Sequence, residues 1–326
     1  MNSPQQQRRS SVTRRPVHGV LLLDKPIGLS SNQALQKAKW LLRAEKAGHT
    51  GTLDPLATGM LPLCFGAATK FSQLHLDANK AYTAHVRLGV TTTTADAEGD
   101  VLETKPVPAL DQPALDAVAA QFVGDIQQVP PMYSALKKDG KALYEYAREG
   151  VTLEREARAV HIFNLQLSPT PDPTVISLQV SCSKGTYIRT LGEDIGAAIG
   201  CGAHLASLRR TQTGGFALGD VRAKHGTVSL TELEAMADET RLQALLPVHS
   251  LLPDVPAVTL ASHDAGRFLS GVRLRGEPYA TAQPLVGVWG EAPQAFLGSA
   301  HTAGGELIPT RLLSPVEVSQ CLEQVH

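Results

Sequence analysis

Cysteine is scarce. Cys64, Cys182, Cys201 and Cys321 are the only four in 326 residues, too few and too scattered for a disulfide framework. None forms a C-x-x-C pair or stands at a metal-ligand spacing from a histidine, so no zinc site is expected. No apolar run approaches the ~18 residues of a membrane span. The polar, basic N-terminus has no apolar signal core. These absences predict a cytoplasmic chain with no membrane partner. Excess charge of one sign is missing too: 30 Lys and Arg stand against 31 Asp and Glu, a formal net charge of −1, with a pI near 6.8. The overall basicity of many nucleic-acid binders is therefore absent, although a local basic face is still open. No internal repeat is evident.

What is present is a globular chain, 43% hydrophobic and 19% charged, long enough for two domains. Basic residues cluster at Arg8, Arg9, Arg14 and Arg15; at Lys37, Lys39, Arg43 and Lys46; at Lys137, Lys138 and Lys141; and at Arg209 and Arg210. Taken alone, each cluster reads as a solvated surface. Residues 1–15, rich in Gln, Ser and Arg, have almost nothing to bury and read as a disordered tail.

Val20 to Leu23 reads as a buried strand ended by Asp24-Lys25-Pro26. Ser30 and Gln33 form a capping-box pattern. Ala34, Leu35, Ala38, Leu41 and Leu42 then repeat at helical spacing, and Gly48 is placed to terminate that helix. Tyr82, Ala84, Val86 and Leu88 alternate with Thr83, His85 and Arg87, as do Ile176, Leu178, Val180 and Cys182 with their polar neighbours; both read as half-buried strands. Helices are expected over 115–122, after Glu193-Asp194 and ending at Gly200, over 230–236 and over 242–246. A linker at 251–256 leads to a Gly- and Val-rich β region with strands at 285–289, 295–297 and 307–308.

The sharpest stretch is Gly48-His49-Thr50-Gly51-Thr52-Leu53-Asp54-Pro55-Leu56-Ala57-Thr58-Gly59. It places one carboxylate in a loop stiffened by Pro55 and opened by three glycines. A lone Asp-Pro in such a loop is ordinarily a turn. Here apolar segments on both sides anchor it near a core, which also suits a functional carboxylate.

This stretch resembles the active-site motif of the TruB family of tRNA pseudouridine synthases. Gly19-Val-Leu-Leu-Leu-Asp-Lys-Pro-Ile-Gly-Leu-Ser-Ser resembles the family's opening motif, and Lys184-Gly-Thr-Tyr-Ile-Arg-Thr-Leu its third, in the same order. The resemblance runs from about Val17 to about Asp220. It implies an α+β pseudouridine-synthase fold with a central mixed, largely antiparallel sheet over about 16–250. An RNA-contacting insertion would occupy about 130–158, and a small PUA-like β domain 254–326. Asp54 would be the catalytic nucleophile or base, Arg189 its partner, and Tyr82 the active-site aromatic that stacks on the flipped base and assists the last proton removal. Arg189 is expected to lower the pKa of Asp54 and keep it ionised.

Substrate contacts are expected from His49, which would fill or brace the space the uridine leaves, and from Tyr187, Lys25, Asp96 and Leu208. Asp96 would pair with Arg189; where relatives carry a further Asp, this chain has Thr93. The implied reaction isomerises uridine 55 in the T arm of tRNA. It needs no redox change and no external energy, so no cofactor and no metal are expected. The implied partner is the T stem-loop of tRNA, with no protein partner and a monomeric enzyme. The first step stays open between addition of Asp54 to base or sugar and removal of a ribose proton to give a glycal. Two other classes compete with this reading. An Asp-nucleophile phosphotransferase wants a second Asp two residues on, where this chain has Leu56. A non-catalytic tRNA-binding or tRNA-folding protein is the alternative, and it would be separated by binding that survives loss of turnover in Asp54→Asn.

Overall fold

Alternating strands build the main sheet of the computed structural model, which describes residues 13–222 and 224–324. Along its path lie Val228–Ser229, Gly19–Lys25, Ala57–Phe65, Ala203–Thr213, Lys80–Leu88, Val175–Cys182, Arg158–Pro169 and Gly124–Gln128; three short strands join from the side. Two neighbouring pairs on the path are parallel, Gly19–Lys25 with Val228–Ser229 and Ala57–Phe65 with Ala203–Thr213. The others are antiparallel, so the fold is α+β around a mixed, largely antiparallel sheet.

Lys80–Leu88 runs through the middle. Its Tyr82, Ala84 and Val86 stand opposite Val180, Leu178 and Ile176. Helices Gln112–Ala120 and Ile188–Ile199 bring Leu115, Leu191 and Ile195 into the same core. Leu191 and Leu205 are fully buried, and each such leucine contributes about 1.5–3 kcal/mol.

The first helix, Ser31–Leu41, has the expected capping box, and Ala34, Leu35, Ala38, Leu41 and Leu42 are all buried. Gly48 does not end it. The helix stops at Leu42 and Arg43, which takes φ +52°, while Gly48 lies in a short strand opposite Cys64. The turn is closed by Arg43 N on Trp40 O and Ala44 N on Lys39 O, both at 3.0 Å, and the Arg43 side chain pairs with Asp238. The helix expected over 242–246 is also displaced. It runs Asp238–Gln243, and Leu245 and Leu246 instead pair as a strand with Leu21 and Val20. Of the expected tail, residues 1–12 lie outside the described residues. Arg15 belongs to the folded part: it bridges Ala44, and its guanidinium meets Asp238 at 3.0 Å.

A second sheet orders Ala257–Leu260, Gln283–Glu291, Gln294–Ala303, Glu306–Leu312 and Leu274–Arg275. It has its own apolar cluster around Phe268, Val288 and Leu307. The last helix, Pro315–Gln324, returns to the main sheet. Gln324 exchanges hydrogen bonds with the His18 backbone at 2.9 and 2.6 Å, and Lys70 donates to Glu317 at 2.5 Å.

Candidate active site

The Asp54 loop is held through its backbone. Leu53 N donates to Ser31 Oγ at 2.7 Å, Gly28 N donates to Pro55 O at 2.8 Å, and Ala57 N donates to Asp54 O at 3.0 Å. Two of the three glycines are needed for geometry. Gly51 has φ +113° and Gly59 φ +100°. A Cβ at Gly59 would stand 2.2 Å from the carbonyl oxygen of Arg210 on the adjoining strand.

Arg189 arrives on the first turn of the Ile188–Ile199 helix. Tyr187, which precedes that helix, is fixed by Gln128: Tyr187 N donates to its Oε1 at 3.0 Å and its Nε2 donates to Tyr187 O at 3.3 Å. Arg189 Nε lies 3.0 Å from Asp54 Oδ2 and 3.7 Å from Asp96 Oδ2. Its remaining nitrogens donate to Thr94 O at 3.1 Å and Tyr133 O at 2.6 Å. Asp96, 2% exposed, accepts from Thr94 Oγ1 at 2.5 Å and from Glu98 N at 3.0 Å. It sits there because Ala95 and Ala97 bond to Leu205 on the central sheet. The expected pairing of Asp96 with Arg189 is present, and one guanidinium links two carboxylates.

The pKa of Asp54 runs against the expectation. Burial raises it above the usual carboxylate value; Arg189 draws it down and Asp96 pushes it up again. Its side chain keeps 38% of its surface open to solvent, so the carboxylate is reachable although crowded by protein. The guanidinium opposes the desolvation without overcoming it.

Tyr82 is partly buried against the main core. Its phenol is raised by burial and feels both Arg210 and Asp54. Tyr187 is likewise raised by burial, with Ser134, Arg189 and Asp54 acting on it. Leu208, 8% exposed, stands opposite Ala57 and Ala84. His49 ends the short strand before the loop; its ring is held towards the neutral form by burial and by Arg210, and its Nδ1 is buried without a hydrogen-bond partner. Asp54, Arg189, Asp96, Tyr82 and Tyr187 therefore converge electrostatically.

Two cations are buried, although Lys25 is expected as a substrate contact and Arg210 lies in a cluster that reads as solvated surface. Lys25 is fully buried, and its ammonium donates to Pro26 O at 2.9 Å and Leu29 O at 2.5 Å. It turns inward to the backbone and not to a surface that RNA could touch; burial lowers its pKa to about 8, opposed by Asp54 and Glu98. Arg210 is 1% exposed, with Nε donating to Met60 O at 2.7 Å. Alternation carried that signal, since Arg210 lies two residues beyond the inward-facing Leu208. Arg209 points the other way and pairs with Asp24 at 2.6 Å.

The 130–150 segment forms a hairpin, Lys137–Lys138 with Lys141–Ala142, followed by the Leu143–Arg148 helix. Lys141 Nζ lies 4.5 Å from the ring centre of Tyr146, and the Arg148 guanidinium 5.2 Å from that of Tyr144. Through Tyr133 its base touches Arg189. A separate cleft of about 1160 Å³ lies away from Asp54, between the two sheets, and is lined by His18, His249, Trp289 and Phe296 among others. Among the described residues no cluster of three or more His, Cys, Asp or Glu could hold a metal ion, and no helix is long and apolar enough to cross a membrane.

Comparison with known proteins gives two family matches. Residues 39–188 match the TruB family pseudouridylate synthase N-terminal domain, and residues 189–253 match the tRNA pseudouridylate synthase B C-terminal domain. The join falls at Arg189, so the two carboxylates come from one match and the guanidinium from the other. Curated relatives include tRNA pseudouridine synthase B of Verminephrobacter eiseniae, 61% identical over 320 residues and covering 96% of this chain and 94% of that one. That of Ralstonia nicotianae is 57% identical over 307 residues, covering 92% and 95%. Among solved structures, a Cbf5-Nop10-Gar1 complex matches with a TM-score of 0.66 at 24% identity, covering 92% of this chain and 86% of that one. An H/ACA RNP bound to a substrate RNA containing 2'-deoxyuridine matches with 0.65 at 22%, covering 91% and 86%. At those identities the likeness is one of fold.

Proposed function

This chain belongs to the TruB family of pseudouridylate synthases, and from that premise we propose that it isomerises uridine to pseudouridine in tRNA, at position 55 of the T arm. The observation that carries the reading is the 3.0 Å pair between Asp54 and Arg189, with Asp96 behind the guanidinium. It supplies an accessible carboxylate on a fixed backbone, oriented by a cation that is 5% exposed.

The reaction breaks the bond from ribose C1' to uracil N1, turns the base, joins C1' to C5, loses the C5 proton and gains one proton at N1. Substrate and product are isomers, so the balance needs no co-reactant. Asp54 acts as nucleophile or base, either by adding to base or sugar or by taking a ribose proton; the carboxylate suits both. Arg189 orients it and offsets part of the cost of holding its charge in a crowded site. The Tyr82 ring stacks on the flipped base and assists the final proton removal from C5. His49 braces the vacated space, and Tyr187 and Leu208 bound the base. The lysines and tyrosines of 130–150 meet phosphates and bases of the T stem-loop. We take the enzyme to act in the cytoplasm as a monomer, with the second sheet as a PUA-like appendage.

The test is tritium release from an unmodified tRNA transcript labelled at uridine C5, with wild type and Asp54→Asn side by side. Release by wild type alone, mapped to position 55, is the expected result. Equal release from both would remove Asp54 from the chemistry. Tight tRNA binding with release from neither would favour an RNA-binding protein without catalysis.

A further inference from the structure

Two serines stand side by side where the Ser31–Leu41 helix begins, and they do different things. Ser30 is the cap: its Oγ accepts from Gln33 N at 3.2 Å, and Gln33 Oε1 accepts from Ser30 N at 2.8 Å. The cap is complete without Ser31. The Ser31 side chain, 1% exposed, turns to the neighbouring loop. There its Oγ accepts from Leu53 N at 2.7 Å and donates to Leu53 O at 3.1 Å. One hydroxyl thus holds both backbone groups of the residue before Asp54. From the same segment, Gly28 N holds the carbonyl of Pro55, the residue after Asp54, at 2.8 Å. The segment is itself pinned by the Lys25 ammonium on Pro26 O and Leu29 O. Asp54 is therefore gripped on both sides by residues 28–31, and the grip on its N-terminal side is a single side chain.

We propose that Ser31 is a positioning residue for Asp54, and that it sets the carboxylate through the Leu53 peptide. The proposal rests on the reading of Asp54 as the catalytic carboxylate. Without Oγ, Leu53 N–H and C=O lose partners in a buried place, and buried backbone groups do not stay unpaired. The loop re-seats to find others and carries Asp54 away from Arg189 Nε and from the reacting atoms. Misplacement of a catalytic group by ~1 Å costs on the order of 10²-fold in rate.

Four variants test this: Ser31→Ala, Ser31→Cys, Ser31→Thr and Ser30→Ala. Each is measured by single-turnover tritium release at saturating tRNA transcript, by filter binding of the same tRNA and by thermal melting. Ser31→Ala and Ser31→Cys should react about 10²-fold more slowly with unchanged tRNA affinity. Ser31→Thr, which keeps the hydroxyl, should recover most of that rate. Ser30→Ala should melt at lower temperature and keep the wild-type rate, because it loses a helix cap and leaves the grip intact. If Ser31→Ala fails to fold, the comparison of Cys with Thr decides. Ser31→Ala and Ser31→Cys rates within about threefold of wild type, or loss of rate only in step with loss of folded protein in both serine positions, would overturn the proposal. A wild type that binds tRNA and releases no tritium overturns the activity itself, and the proposal with it.

Discussion

Replacing Arg189 by Gln separates what the guanidinium does for the fold from what it does for Asp54. The side chain is 5% exposed and meets Asp54, Asp96 and two backbone carbonyls. The stability cost comes mainly through Asp96, whose side chain is 3% exposed. Removing one partner of a buried pair costs about 3–5 kcal/mol. Two hydrogen bonds from Thr94 and Glu98 to Asp96 survive the change, which puts the expected loss near the lower end, about 3 kcal/mol. The Asp54 half adds only about 0–1 kcal/mol, since that carboxylate is 38% exposed and screened. Against a typical total of about 5–15 kcal/mol, the variant folds but is visibly weaker.

The pH dependence follows separately. Arg189 lowers a pKa that burial has raised. Without it the pKa rises further. Activity that needs ionised Asp54 is full above that pKa and lost as pH falls through it, so the acid limb of the Arg189→Gln profile moves to higher pH. Urea unfolding followed by tryptophan fluorescence reads the first effect, and tritium release across the pH range reads the second. An unfolding free energy within about 1 kcal/mol of wild type, or an acid limb that does not move, would refute this account of the site.

Asp54→Asn should lose turnover by several orders of magnitude and shift stability by less than about 1 kcal/mol; a comparable loss of folded protein would mean the residue is structural. Gly59→Ala should destabilise by more than about 3 kcal/mol, because its Cβ would meet Arg210 O at 2.2 Å in a backbone with φ +100°. Gly48→Ala, in open space, is the control and should stay within about 1 kcal/mol on the same urea curves. Hydrogen exchange over residues 130–150 should slow when tRNA is added, and equal protection with and without it would remove that segment from the interface.

What was legible in the chain was whatever depends on near neighbours. The buried face of the first helix follows from the spacing of Ala34, Leu35, Ala38 and Leu41, and all four are buried. The inward face of the central strand follows from Tyr82, Ala84, Val86 and Leu88. The stop of the first helix was not legible, because a non-glycine residue, Arg43, takes the left-handed turn beside a partner 195 positions away, Asp238, while Gly48 enters a strand. The same limit applied to charge. Composition assigns a lysine or arginine to solvent by default, yet Lys25 and Arg210 end where carbonyls converge.

The candidate site shows the same division at closer range. Asp54 could be singled out from its own loop, since the proline and glycines around it are local. Its partner could not be derived that way: Arg189 comes from a distant helix, and only the motif resemblance joined the two. The net direction of the Asp54 pKa is not legible for the same reason, although Arg189 lowers it as expected. A neighbouring guanidinium is a pairwise fact and suggests a lowered value, whereas burial sums over everything that packs around the loop. That sum includes the 28–31 segment, the insertion base at Tyr133 and the Asp96 turn, which only the fold brings together. At Asp54 desolvation outweighs the one adjacent cation. The fixed backbone follows from the same crowding: Leu53, Asp54 and Pro55 each have a bonded partner. A carboxylate fixed in place and carrying a raised pKa is less comfortable in its charge than a free one, and that suits a group that must attack or accept a proton.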